Sequence, residues 1–149
     1  MQECCIPRVE ALARKGIGSF NAGDWETTRD LFGPGFVYDE TGTGRHLDDV
    51  DEVMAVLQAW KAAFPDAAGE ITRVVTDVDT AALEIIWRGT HSGRLDTGAG
   101  TLPPTGRSIE VWATMWGRWK DGRLTAERHH LDVLTMMMQL GAIPDPSQA

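Results

Sequence analysis

The 149-residue chain has only two cysteines, Cys4 and Cys5, and they are adjacent. A bridge between neighbours would be strained and could not staple distant elements, so reduced thiols are expected. Bases are the scarcer charge, 14 against 22 acids, and they are scattered rather than gathered into a stripe. That pattern argues against nucleic acid as a partner. No uninterrupted apolar run approaches the roughly 18 residues that span a bilayer. The start, Met1 to Arg8, lacks the basic-then-apolar order of a signal peptide. A soluble, cytoplasmic protein with no membrane partner is expected. The sequence contains no GxxxxGK[ST], HExxH or GxSxG pattern and no cysteine pair at zinc spacing. Phosphate-loop, zinc and serine-nucleophile chemistry therefore have no support, and neither metal nor cofactor is expected.

What the chain does have is length for a core and a surplus of tryptophan. Its 149 residues suffice for one compact domain, expected over residues 1–149. Against one Tyr and four Phe stand six Trp: Trp25, Trp60, Trp87, Trp112, Trp116 and Trp119. An indole joins a broad apolar body to a single donor, which suits a ring-binding pocket, a subunit interface or plain core.

Periodicity predicts a helix from Val9 to Phe20, a short one from Asp24 to about Phe32, and a clear one from Asp48 to Phe64 closed by Pro65. Between the last two, Phe36 to Asp39 reads as a short strand and Thr41 to Arg45 as a turn. The period then changes to strands over Glu70–Thr76, Ala81–His91, Ile109–Lys120 and Arg123–Leu131, with a short apolar helix from Val133 to Leu140. Asp121-Gly122 is a two-residue hairpin signal, so the last two long strands pair antiparallel. Ser92 to Gly106, with four glycines and two prolines, is a long loop of the kind that borders sites. Helices followed by a meander of long strands predict an α+β fold, with the helices covering one face of a curved sheet.

The chemistry concentrates near the end, in Glu127-Arg128-His129-His130-Leu131-Asp132. Alternation puts Glu127 and His129 on one face of a strand and Arg128 and His130 on the other. An imidazole beside a carboxylate in a cavity is a ready acid/base pair, whereas on an open face it is only a solvated strand residue. The adjacency of His129 and His130 aims their rings apart, which disfavours a shared metal. Asp132 is an alternative acid, and its place directly before the last helix equally makes it an N-cap. His91, ahead of the long loop, stands at a pocket mouth or simply supplies turn hydrogen bonds. The triplet Met136-Met137-Met138 reads as core, with at most two of the three able to face one side. Trp112 and Trp116 share a face with Glu110, Thr114 and Arg118, a mixture predicted to lie outside the core and to form a homodimer contact, while Ile109, Val111, Ala113 and Met115 face inward.

Six short pieces, Phe20-Asn21-Ala22-Gly23-Asp24-Trp25, Trp60-Lys61-Ala62-Ala63-Phe64-Pro65-Asp66, Gly89-Thr90-His91-Ser92-Gly93, Pro103-Pro104-Thr105-Gly106-Arg107, Lys120-Asp121-Gly122-Arg123 and Gln139-Leu140-Gly141, occur in an order that resembles the SnoaL-like polyketide cyclases of the nuclear transport factor 2-like superfamily. The resemblance runs from about Val9 to Gly141. It implies a cone-shaped barrel of a curved antiparallel sheet with helices packed on its concave side, an apolar pocket, and often a dimer through the outer sheet. It also implies ring closure by an intramolecular aldol reaction without cofactor. The cyclases' acid on the last strand falls at or near His129 and their histidine near Met115, so this chain departs from the pattern at both places. A methionine moves no protons.

The resulting expectation is a cofactor-free enzyme on an apolar carbonyl or polycyclic substrate. His129 would be the general base, Glu127 would orient it and Asp132 would be the alternative acid. Phe20, Tyr38, Trp60, Trp87, His91 and Met115 would contact the small apolar ligand. A non-catalytic binding module is the alternative, as is a hydroxylase, epoxide hydrolase or ketosteroid isomerase-like relative. A histidine base predicts a rate limb between roughly pH 5 and 8, and Asp132 one near pH 4.

Overall fold

The computed structural model describes residues 6–97 and 100–148. The Cys4–Cys5 pair and Gly98 of the long loop lie outside them. Helix α1 (Ile6–Ala22) buries Val9, Ala13, Ile17 and Phe20, one residue per turn on a single face. Gly23, at φ 68°, ends it, and Asp24 caps α2 (Trp25–Asp30) by accepting from the Thr27 N–H at 3.2 Å. Strand β1 (Phe32–Glu40) follows, then β2 (Arg45–Leu47). Helix α3 (Val50–Ala63) is capped by Asp49, whose carboxylate accepts from Asp51 and Glu52 N–H at 2.8 and 3.1 Å.

The long strands β3 (Ala68–Asp77) and β4 (Thr80–Thr90) come next. The Ser92–Gly106 stretch is not featureless, since β5 (Leu95–Asp96) and β6 (Thr101–Leu102) pair within it as a small hairpin. Strands β7 (Ser108–Lys120) and β8 (Arg123–Leu131) are joined by Asp121-Gly122, both at positive φ (52° and 78°), as a two-residue type I′ turn requires. Helix α4 (Val133–Gln139) and a 3₁₀ turn (Pro146–Gln148) close the described chain. No helix among the described residues is long and apolar enough to cross a membrane.

The main sheet runs β2-β1-β8-β7-β4-β3. Its pairings are antiparallel except one: β1 lies parallel to β8, which corrects the all-antiparallel expectation. A parallel pair needs a long crossover, and the whole stretch from β2 to β7 supplies it. This α+β sheet curls into an open cone, with α1 and α3 packed on its concave side. Strand β1 also starts earlier than the breaker Gly33-Pro34-Gly35 suggests. The chain bulges there, with Phe32 opposite Leu124 and Val37 already opposite Ala126, so the proline needs no ladder partner.

One buried cluster joins α1 and β1 to the sheet through Ile17, Phe36, Leu83, Ile85, Met115 and Leu124. A second gathers Phe20, Phe64, Val111, Leu131, Met136 and Leu140, and Trp87 and Leu57 pack against both. Ile109, Val111, Ala113 and Met115 face inward as expected, while Trp112 and Trp116 stand 53% and 50% exposed on the convex side.

Candidate active site

Between α1, α3 and the concave sheet lies a cavity of about 100 Å³ with an almost wholly apolar wall. Two alternating positions of β8, Glu127 and His129, face into it, and Arg128 and His130 face out. Phe20, Tyr38, Trp60, Trp87 and Met115 also line it. His91 and Asp132 do not. His91 is fully buried beneath the long loop, where Thr105 Oγ1 lies 3.0 Å from its Nδ1 and Phe64 packs against its ring at 5.3 Å. Its work there is to seat the loop. Asp132 is exposed and accepts from the Thr135 N–H at 3.1 Å, so it caps α4 rather than meeting the cavity.

The parallel pairing sets Tyr38 opposite Glu127 and Glu40 opposite His129. Glu40, which is 2% exposed, has no place in the sequence reading because the strand signal there ends one residue early, at Asp39. Alternation continued from Tyr38 would put it on the inner face. A chain of hydrogen bonds results. Tyr38 Oη donates to Glu40 Oε2 at 2.7 Å, and Glu40 Oε1 accepts from Thr43 Oγ1 at 2.6 Å and Arg45 Nη1 at 3.0 Å. His129 Nδ1 is 3.2 Å from Tyr38 Oη, and His129 Nε2 accepts from the indole N–H of Trp87 at 3.2 Å. An indole nitrogen only donates, so Nε2 carries the lone pair and the imidazole proton sits on Nδ1, donating to Tyr38 Oη. Both nitrogens are thereby engaged, by Tyr38 and Trp87 and not by Glu127.

Burial pushes the His129 pKa down to about 4, against the opposing pull of Glu40, so at neutral pH the ring is uncharged. Burial also raises Tyr38, with Glu40 adding to it, which keeps its hydroxyl protonated and donating. Glu127 moves the other way from His129: desolvation alone lifts its carboxyl to about 7, with no charge or hydrogen bond offsetting it. The cavity therefore holds a free carboxyl poised at neutral pH beside a neutral, fully bonded imidazole. Among the described residues no group of three or more His, Cys, Asp or Glu is placed to hold a metal ion.

These two shifts have opposite effects on stability. The folded chain holds a proton on Glu127 that the unfolded chain releases above about 4.5, so stability falls as pH rises toward 7. The folded chain refuses on His129 a proton that the unfolded chain binds below about 6.5, so stability rises with pH from about 4 to 6.5. Where the windows overlap, the contributions cancel. Glu127→Gln removes one of them and should leave stability climbing through that window, gaining at most about 3 kcal/mol on the wild type between pH 4.5 and 7.5. Urea midpoints at pH 4.5, 6 and 7.5 measure it. Parallel curves for the two proteins would mean that folding does not hold a proton on Glu127.

Among functionally curated proteins, none matches the chain. Solved structures do. The chain is similar to IdmH of Streptomyces antibioticus, a candidate polyketide cyclase, at 31% identity over 89% of this chain and 98% of that one, with a TM-score of 0.77. A candidate SnoaL-like polyketide cyclase from Jannaschia sp. CCS1 shares the fold at TM-score 0.83 and 17% identity, covering 94% and 96% of the two chains. AclR of Streptomyces galilaeus, a candidate hydroxylase, does so at 0.81 and 21%, covering 94% and 85%. The SnoaL-like polyketide cyclase family model matches residues 11–140, most of the cone and its cavity, and the chain belongs to that family.

Proposed function

We propose that this protein is an acid/base enzyme acting on an apolar ring compound that carries a carbonyl group, with Glu127 as the group that moves the proton. The observation carrying this reading is the Glu127 carboxyl, free of partners in an apolar cavity and held at about 7. A base titrating near the working pH combines a useful fraction ionised with useful basicity. Glu127 takes the proton next to the carbonyl and the C–H electron pair passes into an enolate; the carbanion then either recovers that proton or attacks a second carbonyl, whose π pair becomes an alkoxide that takes the proton back from Glu127. This inverts the roles expected from sequence. His129, blocked at both nitrogens, serves as a neutral wall of the cavity and holds Trp87 and Tyr38 in place.

The cavity, at about 100 Å³, is smaller than the roughly 150 Å³ that accommodates benzene, so a polycycle enters only if lining side chains turn aside. Deuterium exchange into a panel of simple ring ketones in D₂O, followed by proton NMR, tests enolisation without the physiological substrate. Wild type should speed exchange over buffer and Glu127→Gln should not. Binding without exchange would favour a ligand-binding module, a reading that the saturated hydrogen bonding of His129 also suits.

We propose further that the convex face carrying Trp112 and Trp116 joins two copies of the chain. Half-exposed indoles among charged neighbours suit the edge of an interface better than free surface. Light scattering should give a dimer that Trp116→Glu splits into monomers, and a wild-type monomer at all concentrations would reject it.

A further inference from the structure

Among the described residues, two buried side-chain polar atoms find no hydrogen-bond partner, His91 Nε2 and Trp119 Nε1. His91 lies away from the cavity, but Trp119 lines it and is only 7% exposed. Buried indole N–H groups ordinarily have an acceptor, as that of Trp87 does in His129, and an orphan in a native interior calls for a reason. The placement of this one supplies it. Gly117, two residues earlier on the same inward face of β7, has no side chain, and the indole fills the space over it: a Cβ there would stand 3.3 Å from Trp119 Nε1 and 3.0 Å from Leu124 Cδ1. Gly117 is the cross-strand partner of Glu127. Directly opposed positions bring side-chain roots to about 5 Å, so the indole that carries the unpaired donor covers the position facing Glu127 across the two strands, and a ligand oxygen meets that N–H once the ring turns off Gly117.

We infer that Trp119 Nε1–H is the ligand-anchoring donor of the cavity, binding the carbonyl oxygen of the apolar ring compound whose adjacent C–H faces Glu127. The inference rests on the reading of this cavity as the substrate site. It assigns polarity to an otherwise featureless pocket, with a donor for the oxygen on β7 and an acid/base for the carbon-bound proton on β8. The same N–H strengthens its bond as negative charge gathers on the oxygen, which favours the enolate over the ketone. It also sets specificity. A hydrocarbon of identical shape leaves the donor unpaired, and a compound with a hydroxyl donor in place of the acceptor gains only if its oxygen turns a lone pair to the indole.

Acetophenone and α-methylstyrene differ only in C=O against C=CH₂ and make a matched pair of probes. Titrated separately into the intact protein, they are followed by the indole N–H resonances, that of Trp119 being identified as the one missing from Trp119→Phe. The ketone should bind three- to tenfold more tightly than the alkene, move the Trp119 N–H resonance downfield and slow its exchange with water, while the alkene leaves it in place. Trp119→Phe, which keeps a ring but no donor, should bind both alike. If wild type binds both probes with equal affinity and an unmoved Trp119 resonance, the anchoring role is wrong while the cavity remains an apolar ring site. If neither probe binds to natively folded wild type, both the anchor and the reading of the cavity fail. The wild-type resonance shift decides the matter even if the variant folds poorly.

Discussion

Glutamine in place of Glu127 is expected to lower the rate of proton abstraction by two to four orders of magnitude, the usual contribution of a positioned acid/base, while leaving ring binding within a few fold. Gln fills the same volume and keeps a polar end, so the cavity's shape survives and only the proton acceptor is lost. The pH dependence makes the test specific to this residue. With its carboxyl held at about 7, wild-type activity should climb through neutral pH and level off above about 8. A His129 base would instead place the limb near 4, because burial depresses its imidazole that far. The sequence alone predicts a limb between roughly pH 5 and 8 and attributes it to histidine; the proposed mechanism keeps the limb in that range and assigns it to the glutamate. His129→Asn should preserve a limb near 7, although loss of the Tyr38 and Trp87 bonds lowers the plateau. A wild-type limb that stays near 7 in Glu127→Gln would sink the assignment.

Much of this arrangement is legible in the chain because it depends on local periodicity. The 3.6-residue pattern of α1 and α3, the alternation of β4, β7 and β8, and the Asp121-Gly122 turn each act over a few residues, so they fix which side chains share a face whatever the rest of the chain does. That is why periodicity places Glu127 and His129 side by side and turns Trp112 and Trp116 outward. What the pattern does not carry is the identity of the neighbours. The partners of His129 come from β1 and β4, some ninety and forty residues away, and β1 reaches β8 through a parallel pairing that only the completed crossover defines. Without that register, Glu127 is the nearest acid to His129 in sequence and looks like its orienting partner; with it, Tyr38 and Glu40 take the position and Glu127 is left free. The same blindness promotes Asp132 and His91, whose residue types fit a site but whose positions, at a helix cap and beneath a loop, lie outside the cavity. Glu40 and Trp119 go unnoticed for the converse reason. Alternation continued from Tyr38 and from Met115 puts both on inner faces, but a glutamate just past a predicted strand and one tryptophan of six carry no local mark of what they meet there.

Glu40 is also the residue whose removal should most damage the fold. Its side chain is almost completely buried and accepts three bonds, from Tyr38, Thr43 and Arg45. Glu40→Ala strips all three donors of their acceptor at once and leaves a void in the cone wall. Breaking one half of a buried ion pair typically costs about 3–5 kcal/mol, because the remaining charge stays without compensation. Here Arg45 keeps 29% of its side chain exposed and can turn toward water, so the loss should sit near the lower end, about 3 kcal/mol. Tyr38→Phe removes a single hydroxyl but orphans both Glu40 Oε2 and the His129 Nδ1–H, and about 1–3 kcal/mol is expected from those unsatisfied groups. Glu40→Gln separates charge from hydrogen bonding. The amide oxygen can still accept from Arg45, but its NH₂ now faces the Tyr38 hydroxyl, whose own hydrogen loses its acceptor and regains one only by turning to His129. The imidazole would then have to accept at Nδ1 from Tyr38 and at Nε2 from Trp87, which a neutral ring bearing one proton cannot do. The glutamine variant should therefore break one of those two bonds, visible as a changed ¹⁵N shift pattern of the His129 ring, and lose stability between the wild type and Glu40→Ala. Urea denaturation orders the three variants. A Glu40→Ala loss below about 0.5 kcal/mol, with the His129 ring shifts unchanged, would show that the Tyr38–Glu40–Arg45 chain neither supports the cone nor sets the imidazole tautomer.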